Sequence, residues 1–298
     1  MTTPKILGVL FLMGCSHSLT VQEDIQNTPD PRFCPVFDGH SGKPMMWSEL
    51  QDRFSKADAV MLGEMHDDLV GHLVQQALLE DAPSGTGLAL EMLERDEQPL
   101  LDDFRDGVID QETFRELTGS TNWAGLKTWD TFYQPSIDII FDREGLVFAA
   151  NAPRRYVRHA RIAGKDALPT DGTQSAWFSL PTDIDDQEYR NRFFDLMGEN
   201  TDPATGDRFY LAQRIWDASM GKSLADLRSS GAQPAVLLVG AFHILENGAT
   251  VLEYSHRRPS DEILTVSLVP DFFEMLPDDL MHTADVVIST GSRGPSDQ

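Results

Sequence analysis

Two apolar runs end in the same short pattern, and that repetition constrains the fold more than any other feature. Ala59 to Leu62 leads into Gly63-Glu64-Met65-His66, and Ala235 to Val239 leads into Gly240-Ala241-Phe242-His243, about 175 residues later. A brief apolar run bounded by glycine reads as a strand buried on both faces. Two such strands ending in Gly-x-x-His predict two imidazoles delivered to one place. Side chains alternate along a strand, so Glu64 and His66 share a face if the strand stays extended that far. Imidazole ligates metals and serves as a base near neutral pH. A carboxylate beside it can be a ligand, a base or an orienting partner. The glycines allow close backbone approach.

Other strand signals point the same way. Gly87 to Glu91 is an apolar run stopping on an acid, and Leu146 to Asn151 runs into Ala152-Pro153-Arg154-Arg155. Ile263 to Pro270 and Asp285 to Ser289 read as later strands. Helical periodicity follows the early strands at about 69–81, 96–106 and 153–163. This alternation predicts an α/β fold: a mainly parallel sheet with crossover helices on both faces. Between Lys165 and Gln233 the strand signal stops, and helical stretches at about 185–197 and 207–229 take its place. They read as a helical insertion, about 165–232, near the strand C-terminal ends. In open α/β sheets ligands sit outside those ends, where Glu64, His66, Glu91, Asn151, Arg154 and His243 all fall. Glu91 has a second reading, as the ion-pair partner of Arg95.

The N-terminus carries its own signal. Lys5 precedes an apolar stretch, Ile6 to Met13, and Leu12-Met13-Gly14-Cys15 fits a lipobox. Residues 1–14 read as a lipoprotein signal peptide, Cys15 as the lipidated residue, and 15–33, with Pro29 and Pro31, as a tether. More than one acyl chain makes membrane attachment stable. Residues 34–290 form the α/β domain and 291–298 a disordered tail. With Cys15 acylated, Cys34 is a lone thiol, which excludes a disulfide framework and a cysteine-based zinc site. The formal charge is −24, or −25 without Lys5. Such a surface repels nucleic acid and anionic headgroups.

The motifs in order, GEMH, LALEMLERDEQPLLD (88–102), FAANAPR (148–154), LAQRIWDASM (211–220) and VGAFH (239–243), resemble the ChaN-type haem-binding lipoproteins. These belong to a Tiki/TraB superfamily that also resembles the erythromycin esterases. The resemblance covers roughly 35–290. It implies an α/β fold, outer-membrane attachment in a bacterial envelope and a role in haem or iron uptake. It also implies haem held through a tyrosine, with histidine assistance across a homodimer, and a haem-uptake receptor as partner. In the Tiki branch the matching positions Glu64, His66, Glu91 and His243 would hold a divalent ion such as manganese, cobalt or zinc. Glu64, Glu91 and His243 would then serve a hydrolase. The segment before LAQRIWD, which usually carries a His-Cys-Gly-Met-like stretch, here reads Phe193 to Gly198, without histidine or cysteine.

For a haem carrier, His66, His243, Tyr133, Tyr210 and Arg154 are the candidate cofactor-binding residues. Tyrosinate is a ferric haem ligand. Tyr210 lies on a stripe with Gln213, Arg214, Asp217 and Met220 at helical spacing. Arg154 stands in a first helical turn, where cations oppose the dipole, and Arg158 and Arg161 extend it into a basic stripe. Such a stripe receives carboxylates, or it is a solvated face paired with nearby acids. His72 reads as a helix-surface residue or an additional ligand.

Overall fold

The computed structural model describes residues 28–119, 128–198 and 201–293. The lipobox with Cys15, and the end of the tail from 294, lie outside the described residues. Eight strands and ten α-helices follow in chain order. The strands are β1 (Val36–Asp38), β2 (Pro44–Met45), β3 (Ala59–Glu64), β4 (Gly87–Glu94), β5 (Val147–Asn151), β6 (Ala235–Gly240), β7 (Ile263–Val269) and β8 (Val286–Ser289). The helices are α1 (Trp47–Lys56), α2 (Leu69–Glu80), α3 (Gln98–Arg105), α4 (Gln111–Leu117) and α5 (Trp129–Phe132). They continue with α6 (Gln134–Phe141), α7 (Arg154–Ala163), α8 (Gln187–Met197), α9 (Pro203–Ser229) and α10 (Ala249–Arg257).

One sheet holds all eight strands, in the order β2-β1-β8-β7-β3-β6-β4-β5. Pairing is parallel from β8 to β5, and antiparallel only where the β1–β2 hairpin joins β8. The α/β expectation therefore holds, with an antiparallel edge added. That hairpin left no readable sequence signal, because strands of three and two residues are too short to show alternation.

The pleat sorts the core into two layers. Val60, Leu62, Leu88, Leu90, Val236 and Leu238 face one side, against α1 to α6 through residues such as Phe54, Leu78, Phe114 and Ile137. Ala59, Met61, Ala89, Leu237 and Val239 face the other, against Met220, Leu224 and Leu227 of α9 and Val251 and Tyr254 of α10. Helices thus cover both faces, as a buried parallel sheet requires. The chain leaves β3 over the first face toward β4, then returns from β5 to β6 and on to β7 over the second. A change of direction forces a change of face if every crossover stays right-handed. The outgoing connections of β3 and β6 therefore part on opposite faces, and a crevice opens beyond their carboxyl ends.

The domain edges differ from the sequence reading. The tether expected over 15–33 already carries fold at its end: Pro31–Phe33 form a 3-10 turn, and Arg32 bonds to Asp81 and Glu80. The tail from 291 is joined to the fold at its start, where the Arg293 amide donates to the Pro270 carbonyl at 3.1 Å. Helix α9 is more than an insertion, since its C-terminal half packs on the sheet face.

Candidate functional site

The first Gly-x-x-His ends on one face of the sheet. Glu64 shares parity with Val60 and Leu62, so its carboxylate points toward α2 and α6. It is 2 % exposed. Its Oε1 accepts from the Tyr133 hydroxyl and from His66 Nδ1, each at 2.8 Å, and its Oε2 accepts from Gln75 Nε2 at 2.7 Å. Burial alone would push this carboxyl up, yet the His72 and His66 imidazoles and the Gln75 amide hold it below the ordinary range. His66 in turn rises: burial works against its charge, and Glu64 outweighs burial. His72 is fully buried rather than on the helix surface. It stacks on Phe132 with centroids 4.1 Å apart, and its ring nitrogens face Gln75 Oε1 and the His66 carbonyl. Its place is beneath Glu64, as support.

The second motif ends on the other face. Glu91 has the opposite parity to Leu90 and Met92. Its Oε2 accepts from the Gly240 amide at 2.6 Å, so it does not pair with Arg95. Arg95 is 8 % exposed and donates instead to Ser223, Ser179 and the Ser219 carbonyl. His243 lies between two carboxylates, with Nδ1 2.6 Å from Asp217 Oδ1 and Nε2 3.5 Å from Glu91 Oε1. Burial opposes its charge, but Asp217 and Glu91 raise it to about 10, and Glu91 falls to about 2. Asp217, itself fully buried, also accepts from Thr250 Oγ1 at 2.8 Å and from the Tyr189 hydroxyl at 3.0 Å.

The glycines make the approach of the two motifs possible. A Cβ on Gly63 would stand 2.7 Å from Ile244 Cδ1, and one on Gly240 would stand 3.2 Å from His66 Nε2 and 3.5 Å from Glu91 Oε2. His66, Glu91 and His243 thus lie around Gly240. The ligand set Glu64, His66, Glu91 and His243 does not form. Glu64 and Glu91 leave the sheet on opposite faces, and His243 lies between the Asp217 and Glu91 carboxylates. Among the described residues no group of three or more His, Cys, Asp or Glu side chains is placed to hold a metal ion. The divalent-metal alternative is therefore not supported. Asp217 is the partner that the sequence reading missed as a site residue. Its signal was an acid on the Tyr210 to Met220 stripe.

The cofactor candidates divide by face. Tyr133 is fully buried, its hydroxyl committed to Glu64, and its pKa is pushed far above the ordinary value by burial and that carboxylate. Tyr210 donates to Asp186 Oδ2 at 2.7 Å, and burial and Asp186 push it up too. Its ring meets Phe193, with centroids 5.3 Å apart.

Beside His243, α7, α8 and α9 enclose a groove of about 890 Å³. Phe193, Met197, Phe209 and Trp216 make its apolar wall, and Arg154, Arg158 and Arg161 line it from α7. Gln213 lines the same groove and lies 3.3 Å from His243 Nδ1. The arginines are employed differently. Arg154 meets Glu94 at 3.4 Å, Arg155 meets Asp96 at 2.7 Å, and Arg161 lies over the Phe209 ring, 4.6 Å from its centroid. Arg158 is exposed and has no hydrogen-bond or ion-pair partner among the described residues. The solvated-face reading thus fits Arg154 and Arg155. The Trp216 Nε1 in the wall is buried and has no hydrogen-bond partner among the described residues.

Residues 50–253 match the family described as haem-binding uptake, Tiki superfamily, ChaN. No curated protein matches the chain. Among solved structures, "Cofacial heme binding to ChaN of Campylobacter jejuni" aligns with a TM-score of 0.63 at 19% identity, covering 86% of this chain and 96% of that one. That likeness establishes the fold. The type III effector HopBA1 aligns at 0.43 and 12% identity, over 87% of this chain and 97% of that one.

Proposed function

The chain belongs to the ChaN-type haem-binding uptake family of the Tiki superfamily, and from that premise we propose that it carries haem in the groove between α7, α8 and α9. The observation that supports this is the composition of the groove. An apolar aromatic wall of Phe193, Phe209 and Trp216 faces a stripe of arginines that includes the unpartnered Arg158. A volume of about 890 Å³ lies in the usual range for cofactor sites, roughly 300–1,000 Å³. A porphyrin offers an apolar disc and carboxylate-bearing edges, so the wall would hold the disc and Arg158, with Arg154 and Arg161, the propionates. The iron is the haem's own chemistry; the chain supplies binding and a donor atom. Met197, in the wall, is a donor at hand, and Tyr210 adjoins the wall residue Phe193 with its hydroxyl on Asp186. Tyr133 lies under the opposite face of the sheet.

The lipobox at Leu12 to Cys15 supports acylation at Cys15 and residence at the outer membrane. Membership of a haem-binding uptake family supports a role in iron supply. Cofacial haem binding to the ChaN of Campylobacter jejuni supports a homodimer as the working form of this chain. Ile162 and Leu196, 62% and 73% exposed, adjoin groove residues Arg161 and Met197 and are surface that a second copy would cover.

A haemin titration followed in the Soret region tests the reading. Saturation near one haem per chain is expected. Arg158→Glu should weaken binding about tenfold or more, the equivalent of one charged hydrogen bond. Tyr210→Phe should alter the spectrum if the phenolate is the donor. A linear, non-saturating response, or curves unchanged by Arg158→Glu, would refute the groove as the haem site.

A further inference from the structure

Four large apolar side chains stand in solvent near where the described chain begins. Phe33 is 83% exposed, Met46 65%, Phe272 52% and Met275 81%. Phe33 and Phe272 line one surface groove together with Thr28 and Pro29. Phe33 and Met46 line the adjoining one with Glu274, the neighbour of Met275. Phe33 is not a loose end. Arg32 is tied to Asp81 at 2.8 Å and to Glu80 at 2.7 Å, and the Cys34 amide closes on the Pro31 carbonyl at 3.1 Å. The backbone therefore holds the ring outward. Gathered exposed apolar side chains mark a contact surface.

Chain connectivity says which surface. Twelve residues, 13 residue steps, lie between Cys15 and Thr28, so the two lie within ~45 Å. With Cys15 acylated, the face that Thr28 enters is within reach of the bilayer. The formal charge of −24 disfavours anionic headgroups, and the apolar patch asks only for the acyl boundary. We propose that this face docks on a zwitterionic bilayer surface, with Phe33, Met46, Phe272 and Met275 inserted at the headgroup level. The proposal rests on acylation at Cys15. It assigns the fold a fixed orientation above the membrane.

The test uses the full acylated chain, purified from membranes and reconstituted into phosphatidylcholine vesicles with or without brominated acyl chains. Phe33→Trp and Met275→Trp report from the patch, and Val108→Trp, at a position 70% exposed, reports from elsewhere, each read as the emission added over the parent protein. Blue-shifted emission quenched by the brominated chains at the two patch positions, and not at Val108→Trp, is the expected result. Patch emission that is blue-shifted but unquenched would mean that protein covers the face, through a second copy or the tether, and would overturn the proposal. Emission typical of water would also overturn it. Mass spectrometry of the same sample reads the anchor separately. An unacylated chain still quenched on added vesicles would reject the anchor and keep the surface. An acylated chain without quenching would keep the anchor and reject the surface.

Discussion

His243 is the buried charge on which the second motif turns, and its removal from that role should be legible in the pH dependence of stability. Its pKa stands at about 10 in the fold, against about 6.5 in an unfolded chain. A raised value means that the stabilisation is complete below the unfolded pKa and is lost as pH rises through about 10. Between pH 7 and 8.5 the unfolded chain is mostly deprotonated at this site while the fold keeps its proton. The two curves then diverge at close to ~1.4 kcal/mol per pH unit, so this group alone should cost about 2 kcal/mol across that window. Cys34, also raised, to about 11 from 9.0, contributes mainly above the window. The perturbation is the double variant Asp217→Asn, Glu91→Gln, which removes both carboxylates and leaves burial to lower the His243 pKa. Urea unfolding at pH 7.0, 7.5, 8.0 and 8.5 measures the slope. The parent should lose about 2 kcal/mol more than the variant over this range. Parallel profiles would show that His243 is not held as an imidazolium, and would reopen its use as a ligand or base.

Three further outcomes follow from the same geometry. Tyr133→Phe removes one of three hydrogen bonds to the buried Glu64 carboxylate and should lower stability by ~1–3 kcal/mol, measured by thermal unfolding. Haemin titration of that variant should match the parent, because Tyr133 lies under the other face; a lost Soret response would refute that separation. Gly63→Ala would set a Cβ 2.7 Å from Ile244 Cδ1 and 3.1 Å from the Ala241 Cα. The overpacking should cost ~1–3 kcal/mol, and an unchanged urea midpoint would contradict the close approach of the two motifs. Arg158→Glu should lower haem affinity without altering the midpoint of unfolding, since Arg158 has no partner to lose among the described residues.

What the sequence by itself determined were the local events. Apolar runs with glycine at their ends dictated β3, β4, β5 and β6, and 3.6-residue periodicity dictated α2, α7, α8 and α9, because both signals are written in neighbouring residues. The arrival of both Gly-x-x-His motifs at the carboxyl end of the sheet was also legible, since parallel strands joined by helices must all end on one side. The hairpin β1–β2 and the helices between 111 and 141 were less so, being short and secured by contacts distant in sequence.

Only the tertiary structure decided which groups meet. The parity of β3 against β4 sends Glu64 and Glu91 to opposite faces, and parity is set by pairing register across the sheet, which no single strand carries. Asp217 finds His243 because α9 runs past the end of β6, and Arg158 faces Phe209 and Trp216 because α7 and α9 pack side by side. The chemistry of each side chain was present in the sequence. Whether it became a buried ion pair, a support or a wall of the groove depended on three-dimensional neighbours, because burial and charge pairing act through distances that the linear order does not contain.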